Sequence, residues 1–427
     1  MTPLDAEPAG GPAPGTDGGV LRRVLERVTR PPALTVFAAL QAAGIAWVAV
    51  DYLSGLSGPT DAAGNVVTGD FPAFYTAASL LHRGQGAALY NLQVQQATQA
   101  ALLGHPLSTW QPYAYPPLLA LWLSPSAAFP YLTAFYVHGA LMAAALVLLL
   151  WRLRPLVNAL CATPSAWLTT SLLVASWHPV VRTAMGGQNT VLSLALIAGF
   201  GAWTETGRPM AAGLCLGLLS YKPQLVPLLA LCALLRRQYV ALGIAAVTAL
   251  SHYLLGAFVA GAGWPLAWLH MISGYRQLEW ASNRYTHISL WALCSQVLPA
   301  GWAETSAAAA TLAVIWLVSR RALDATVPWR SVFALGVAGT VLVSPHMQYY
   351  DAALLLLPVL LGLDARCRSG GDVDLRLRLL IALGYVLYPI YSYGGQLGIQ
   401  PLCAWAVLCF TWVLREAAPG CSLVGHR

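Results

Sequence analysis

The stretch RPMAAGLCLGLLSYKPQLVPLLALCALLRR, residues 208–237, decides the fold class. Basic residues stand at both ends and nearly all residues between them are apolar, so both ends are predicted on the cytoplasmic side of a membrane. Pro223 breaks a helix and disfavours helical backbone at Lys222. Two halves of about 12 residues, each about 18 Å long, would form a hairpin with Lys222 at its tip. A single kinked span is the alternative, but it leaves one basic flank on the wrong side.

The same membrane signal extends over the rest of the chain. Of the 427 residues, 58% are hydrophobic and 9% are charged, and the mean hydropathy is +0.62. Soluble domains, in contrast, have about 25% charged residues. Apolar runs of membrane length recur, which predicts an all-α, multi-pass integral membrane protein. The net charge of +7 comes from basic residues that flank these runs, so the expected partner is the lipid bilayer and not a nucleic acid.

Loop charge predicts the domain organisation and the orientation of the chain. Residues 1–32 are predicted to be a disordered cytoplasmic tail, residues 33–415 the transmembrane domain, and residues 416–427 a second cytoplasmic tail. Residues 54–114 form a long first periplasmic loop with amphipathic helices, and residues 261–303 form a second external region. We therefore expect a protein of the bacterial inner (plasma) membrane with both termini in the cytoplasm.

Several predicted elements are broken helices or half helices. The predicted apolar segments, amphipathic helices and short helices cover residues 33–53, 72–83, 91–103, 116–128, 131–151, 166–184, 189–204, 239–260, 288–299, 304–319, 331–345, 352–363, 377–393 and 398–414. The segment 116–128 is too short to cross a membrane and is predicted as a half-helix or an interfacial helix.

Polar residues at the breaks between these segments all fall on the predicted outer side. They are Asp70, Gln188, Asn189, Lys222, His287, His346 and Asp351. Polar groups at membrane depth are expensive and tend to be functional. Their convergence on one face therefore predicts an active site that faces the periplasm.

Asp70 is the candidate catalytic base of this site. Phe71, Phe74 and Tyr75 follow it and would supply a partly apolar pocket, which raises the pKa of a carboxyl group toward a useful range. The alternative is that Asp70 is solvated or caps the helix that begins after it.

Lys222 and Arg284 are the candidate ligands of a donor phosphate. Lys222 lies at a proline break in an apolar segment, where a lipid phosphate would supply the missing charge. The alternatives are snorkelling or pairing with a carbonyl group for Lys222, and hydration of a loop for Arg284.

The remaining candidates are polar side chains near the helix breaks. His346 and Asp351 are predicted as catalytic residues, with a structural His–Asp pair that ties two helix ends as the alternative. The sugar- or acceptor-binding candidates are Tyr75, Tyr115, Gln188, Asn189, Gln224, His287 and Gln348. No cofactor and no metal ligand is predicted. The pattern leaves room for a divalent metal without requiring one, because the external loops contain no convincing carboxylate cluster.

Taken in order, these motifs resemble the GT-C superfamily, and specifically glycosyltransferase family 87. The resemblance spans about residues 33–415. It rests on Asp70-Phe71 with Tyr75-Thr76-Ala77-Ala78, Tyr115-Pro116-Pro117, Gly187-Gln188-Asn189, Tyr221-Lys222-Pro223-Gln224, and Ser344-Pro345-His346 with Tyr350-Asp351. It implies a GT-C-type polytopic helical bundle, Asp70 as the catalytic base, and a functional polar residue at His346 or Asp351.

Family 87 includes polyprenol-phosphate-mannose-dependent α-mannosyltransferases, so the resemblance also implies a reaction. A hexose, mannose in the first instance, would move from a polyprenyl-phosphate donor to a periplasmic lipid, glycan or other acceptor, with inversion at the anomeric carbon. Two other classes are weighed against it. A transporter or flippase of a lipid-linked or small polar substrate would also use broken helices, and a non-catalytic assembly protein would tolerate loss of Asp70.

Overall fold

The structure is a computed structural model that describes residues 31–61, 64–104, 110–368 and 373–417. Most of the predicted N-terminal tail and residues 418–427 of the predicted C-terminal tail lie outside the described residues. Within those residues the protein is almost entirely helical, with no β-strand and two isolated β-bridges. The all-α prediction is confirmed.

Nineteen α-helices form the described chain. They are α1 (Pro31–Ser54), α2 (Phe71–His82), α3 (Leu92–Leu103), α4 (Pro117–Leu123), α5 (Tyr131–Leu153), α6 (Pro164–Ser176), α7 (His178–Met185), α8 (Thr190–Glu205), α9 (Pro209–Leu218), α10 (Pro227–Leu235), α11 (Tyr239–Ala260), α12 (Trp264–Asn283), α13 (Leu290–Val297), α14 (Ala300–Leu323), α15 (Trp329–Val343), α16 (Leu356–Arg368), α17 (Leu375–Leu387), α18 (Gly394–Leu397) and α19 (Pro401–Glu416).

Four of the described helices are long and apolar enough to cross a membrane: α1, α5, α11 and α14. Most of the surface of these helices lies outside the protein core, as expected of helices that face lipid. The helices α8, α9, α10 and α15 are apolar but shorter. Because a straight span needs about 20 residues, these segments alone do not reach across a bilayer.

The break predicted at the centre of residues 208–237 is present. Two short 3₁₀ turns, Leu219–Tyr221 and Pro223–Leu225, flank Lys222 and separate α9 from α10. Lys222 has φ −128° and ψ 73°, outside the helical region, as expected of a residue that precedes proline. The half-helix predicted over 116–128 is also present, as α4 and a 3₁₀ turn.

Three elements differ from the prediction. The predicted span 166–184 is two helices, α6 and α7, because Pro179 lacks the N–H group that would continue α6 and instead begins α7. The predicted span 377–393 ends at Leu387, two residues before Pro389. The 20-residue helix α12 was not predicted, because its charged residues interrupt the apolar pattern.

Helix α2 fixes the start of the candidate site. Ten of its twelve residues are buried, although the sequence predicted an amphipathic helix in an external loop. The ring centroid of Phe71 lies 5.4 Å from that of Tyr131 and 5.3 Å from that of Phe135, both on α5. This aromatic packing anchors the N-terminus of α2, and with it Asp70, against the long helix α5.

Candidate active site

Two interlocked turns position Asp70. The backbone N–H of Asp70 donates to the carbonyl oxygen of Gly186 at 3.0 Å. Gly69 and Gly187 have φ +61° and +64°, a region that favours glycine. A Cβ on Gly69 would overlap the Gly186 carbonyl, and one on Gly187 would lie 2.6 Å from Phe71 Cβ. Only glycines allow this close approach, and it brings Gln188 next to Asp70.

The Asp70 side chain points away from helix α2. It makes no side-chain capping bond to α2, so the capping alternative is wrong. Instead, the carboxylate oxygen Oδ2 accepts hydrogen bonds from Gln188 Nε2 and, at 3.5 Å, from the Tyr350 hydroxyl. Burial raises the pKa of Asp70 above its ordinary value, although the Gln188 bond and the charges of Arg182 and His346 oppose the rise.

A cleft of about 200 Å³ opens beside Asp70. Typical ligand pockets are about 300–1,000 Å³, so this cleft suits a small polar group and not a whole lipid-linked donor. Gln111, Arg182, Gln188 and Tyr350 line it together with Asp70. Arg182 was not among the predicted site residues, although a lone arginine in an apolar run is the same signal that indicated Lys222.

Lys222 lies in a buried ion pair. Its Nζ is 2.6 Å from Asp351 Oδ1, and both side chains are 1% exposed. Asp351 also accepts from the Thr190 hydroxyl at 2.6 Å and from the Gln348 backbone N–H at 3.2 Å. The structure thus gives Lys222 a protein partner, and its contact with a donor phosphate stays a prediction. The partner of Asp351 is Lys222 and not His346, the residue considered for a structural His–Asp pair.

His346 belongs to a different cluster, centred on Glu279. Glu279 Oε1 lies 3.3 Å from His346 Nδ1 and 3.6 Å from His287 Nε2. Burial raises the pKa of Glu279, but hydrogen bonds from His287 and His346 outweigh it and leave the pKa below the ordinary value. The same carboxylate raises the pKa of His346 against the effect of burial. Glu279 was not among the predicted site residues.

Gln348 connects the two clusters. Its backbone N–H donates to Asp351 Oδ2, and its side-chain amide donates to Glu279 Oε1 at 3.1 Å. Its Nε2 also lies 3.3 Å from His287 Nε2. Residues distant in sequence therefore form one polar network that reaches from Lys222 to the Glu279 cluster, near Asp70.

Three further candidates lie at the edge of this network. The backbone carbonyl of Asn189 accepts from the Tyr221 hydroxyl at 3.1 Å, and Asn189 is buried. The backbone carbonyl of Gln224 accepts from the Ser344 hydroxyl at 2.9 Å, which ties the Lys222 break to the Ser-Pro turn. The ring of Tyr115 packs 5.3 Å from that of Phe74.

Two candidates have local partners outside the network. The Tyr75 hydroxyl donates to the Phe129 carbonyl at 2.7 Å, within the aromatic packing of α2. Arg284 is exposed, and its guanidinium donates to the Tyr285 hydroxyl at 2.6 Å and lies 4.4 Å from the centre of that ring. The structure does not bring either residue to Asp70.

Comparison with known proteins gives one match. The sequence model of glycosyltransferase family 87 matches residues 113–345. No curated protein and no solved structure matches the chain. The matched region contains Gln188, Lys222 and Glu279, begins after Asp70 and ends one residue before His346. Because the match covers more than half of its 427 residues, the chain belongs to glycosyltransferase family 87.

Proposed function

We propose that this glycosyltransferase moves a hexose, mannose, from a polyprenyl-phosphate donor to a lipid or glycan acceptor, with Asp70 as the general base. One observation carries the proposal. Of the three acids that meet in this region, Asp70 is the one whose carboxylate accepts hydrogen bonds from neutral groups only and lines the cleft. Lys222 neutralises Asp351, and two histidines hold Glu279.

The electrostatic environment of Asp70 suits a base. A carboxylate that is too stable is a poor proton acceptor, and the best catalytic pKa lies near the working pH. Burial raises the pKa of Asp70, whereas the two histidines lower that of Glu279. Neighbouring acids with opposite shifts are typical of active sites in which one acid transfers a proton and the other has a supporting role.

The proposed reaction is a single displacement. The acceptor hydroxyl attacks the anomeric carbon, and its proton passes to the Asp70 carboxylate. The bond between the anomeric carbon and the phosphate oxygen breaks, and its electron pair leaves with the polyprenyl phosphate. The configuration at the anomeric carbon inverts. Arg182 lines the same cleft, and we assign it the contact with the departing phosphate, because a guanidinium pairs strongly with phosphate oxygens.

The other predicted residues take binding roles in this proposal. Gln188 orients the Asp70 carboxylate, and Tyr115 and Asn189 are proposed to contact the sugar or the acceptor, whereas His287 and Gln348 are proposed to border the site that receives them. His346 is proposed to act near the reacting groups, since the turn that carries it leads to Tyr350, whose hydroxyl donates to Asp70 Oδ2. Lys222 and Asp351 are proposed to hold the helix breaks together and to position the site.

The membrane setting is part of the same proposal. We place the active site at the periplasmic face of the bacterial inner membrane, in a GT-C-type bundle with cytoplasmic termini. Basic residues beside the apolar runs support this orientation. The polyprenyl tail would lie against the exposed apolar faces of the long helices. Family membership favours the transferase over the transporter and the assembly protein.

Sugar transfer in nanodiscs tests the proposal. Purified protein receives radiolabelled polyprenyl-phosphate mannose and an acceptor lipid extract, and the labelled product is measured for the wild type, Asp70→Asn and Asp61→Asn. Asp61 is an exposed acid in the same loop, and its carboxylate accepts from the Asn65 backbone N–H at 2.8 Å, a bond that asparagine can keep. It is therefore the matched control.

We expect Asp70→Asn to lower the rate of transfer by about 10²–10⁴-fold, the usual contribution of a positioned base, while Asp61→Asn keeps the wild-type rate. Equal rates in all three proteins would remove Asp70 from the mechanism. Absence of transfer from any polyprenyl-phosphate sugar by the wild type would contradict the donor assignment.

A further inference from the structure

Three side chains with metal-ligating atoms meet near Asp70. One ligand atom each from Glu279, His287 and His346 lies within 4.8 Å of the other two. We infer that these three residues bind one divalent transition-metal ion of the Zn²⁺ type. No metal ligand was predicted from the sequence, because only one of the three residues is an acid and His346 lies 59 residues after His287.

The spacing of the ligand atoms fits tetrahedral coordination. Zinc binds histidine nitrogen and carboxylate oxygen at about 2.0–2.2 Å, which places neighbouring ligand atoms about 3.3–3.6 Å apart in a tetrahedron. The distances from Glu279 Oε1 to His346 Nδ1 and His287 Nε2 are 3.3 and 3.6 Å. Two of the three ligand pairs therefore have the required spacing, and the ligand atoms of the two histidines, within 4.8 Å of each other, are close enough for an ion to draw them together.

The backbone holds two of the ligands in register. His287 and Gln348 form an antiparallel β-bridge, and the Ile288 N–H donates to the Met347 carbonyl at 2.8 Å. The loop before α13 and the Ser-Pro turn are thus joined next to both histidines. Such rigid attachment keeps ligands near their binding geometry and lowers the cost of organising the site.

Outer contacts orient the ligands. The Gln348 side-chain amide donates to Glu279 Oε1 at 3.1 Å, the kind of contact that holds a ligating carboxylate in place. The His287 ring packs 5.6 Å from the ring of Trp280. Because His287 Nδ1 has no hydrogen-bond partner among the described residues, packing would have to hold this ring.

The donor set selects the type of ion. Two imidazoles and one carboxylate suit Zn²⁺ and related ions, whereas Mg²⁺ and Ca²⁺ prefer oxygen ligands only. Three protein ligands leave a fourth position open, which is the pattern of catalytic and not structural zinc. His346 is 42% exposed while Glu279 and His287 are 11% and 4% exposed, so the open position would lie on the His346 side.

The role of the ion rests on the proposed function. Gln348 donates to Glu279, and Tyr350, two residues further along the chain, donates to Asp70 Oδ2 at 3.5 Å, so the ion would act beside the reacting groups. We assign its open position to an oxygen of the donor phosphate, where a cation would stabilise the charge that develops as the phosphate departs. Binding of the ion itself does not depend on this assignment.

Metal content measures the site directly. Protein purified in detergent is stripped with a chelator, dialysed against Zn²⁺ and analysed by plasma mass spectrometry, and Co²⁺ is added in parallel to record the visible spectrum of its coordination. The variants are Glu279→Gln, His346→Asn and Gln348→Leu. The matched control is His270→Asn, which alters an exposed histidine of the same helix α12. Gel filtration of the metal-free proteins establishes that each is folded.

We expect one Zn²⁺ per chain and a tetrahedral Co²⁺ spectrum for the wild type and His270→Asn, with no displacement by Mg²⁺. Loss of an outer contact costs about 10–100-fold in metal affinity, which we expect for Gln348→Leu. Loss of a direct ligand in Glu279→Gln or His346→Asn should cost more than about 100-fold. A wild type without bound Zn²⁺, or equal content in folded Glu279→Gln and His346→Asn, would overturn the site.

Activity separates this inference from the proposed function. Zn²⁺ bound as expected without any sugar transfer would leave the metal site standing and contradict the donor assignment. Full transfer by zinc-free wild type in excess chelator would overturn the catalytic role of the ion and leave Asp70 as the base.

Discussion

Replacement of Lys222 by methionine distinguishes the two roles considered for this residue. The sequence predicts that Lys222 binds a donor phosphate, whereas in the structure it is 2.6 Å from Asp351 with both side chains 1% exposed. In the first case, Lys222→Met weakens donor binding and leaves the fold intact. In the second case, it leaves a buried carboxylate without its cation and lowers the free energy of unfolding.

The structure sets the size of the effect. Removal of one partner of a buried ion pair costs about 3–5 kcal/mol. Asp351 keeps hydrogen bonds from the Thr190 hydroxyl and the Gln348 N–H, and such bonds to charged groups contribute about 1.5–3 kcal/mol each. We therefore expect a loss near the lower end, about 3 kcal/mol. Asp351→Asn should cost a similar amount, because it leaves the buried ammonium unpaired.

The double variant provides the decisive comparison. Independent effects would add to about 6 kcal/mol, but replacement of a buried ion pair by two uncharged residues is often close to neutral. We expect Lys222→Met with Asp351→Asn to lose less than about 2 kcal/mol. The free energies are measured by titration with sodium dodecyl sulfate in mixed micelles, with the fluorescence of the sixteen tryptophans as the signal.

A matched control alters an exposed cation. Arg284→Met removes a guanidinium whose partner is the neighbouring Tyr285 ring, and we expect a change within about 0.5 kcal/mol, as for other surface sites. A Lys222→Met variant that unfolds like the wild type and instead has a higher KM for the donor would refute the structural role of Lys222. Additive losses in the double variant would refute the coupling of the pair.

Three further outcomes are expected. Lys222 is the only lysine of the chain and is buried, so an amine-acylating reagent should modify it only after unfolding, as measured by peptide mass spectrometry. Rapid modification of Lys222 in the native protein, with protection by added donor, would contradict this. Gly187→Ala should lower both stability and transfer, because its φ is +64° and the new Cβ would meet Phe71, the residue that follows Asp70. Gly104→Ala, at φ +80° with no atom of the described residues within 4 Å of the new Cβ, should cost only about 1–2 kcal/mol of backbone strain and keep the transfer rate. In a plot of kcat/KM against pH, the acid limb should have its midpoint above the ordinary carboxyl pKa of about 3.9, since burial raises the pKa of Asp70 and the base must be ionised. Arg182→Gln removes a positive charge that lowers this pKa, so it should move the limb to higher pH. A limb that stays in place would contradict the assignment of Asp70 as the base.

The sequence predicted most helices because local chemistry determines them. Proline breaks and basic flanks placed the half-helices around Lys222 and the span α11, which agrees with the prediction to the residue. Helix α12 was missed, because charged residues that serve tertiary contacts interrupt the apolar pattern that identifies a helix. The break at Pro179 was missed because the apolar run continues across it.

The identity of the polar cluster was predictable, but its pairing was not. Polar residues at helix breaks can be found along one sequence, since they are costly at membrane depth. Their partners are far away: 118 residues separate Asp70 from Gln188, and 129 residues separate Lys222 from Asp351. Which acid meets which cation depends on how the broken helices pack, and no local pattern encodes that.

The pairing also decides which groups remain available for chemistry. Lys222 and Asp351 compensate each other in the interior, and Glu279 is held by the two histidines of the inferred metal site. The wall of the cleft carries one acid, Asp70, and one cation, Arg182. Transfer from a phosphate-linked sugar needs a group that accepts the proton of the acceptor and a cation for the departing phosphate. The cleft brings both charges to one small volume. The roles of Asp70 as the base and Arg182 as the phosphate contact therefore follow from which charged residues pair elsewhere, and not from each polar residue considered alone.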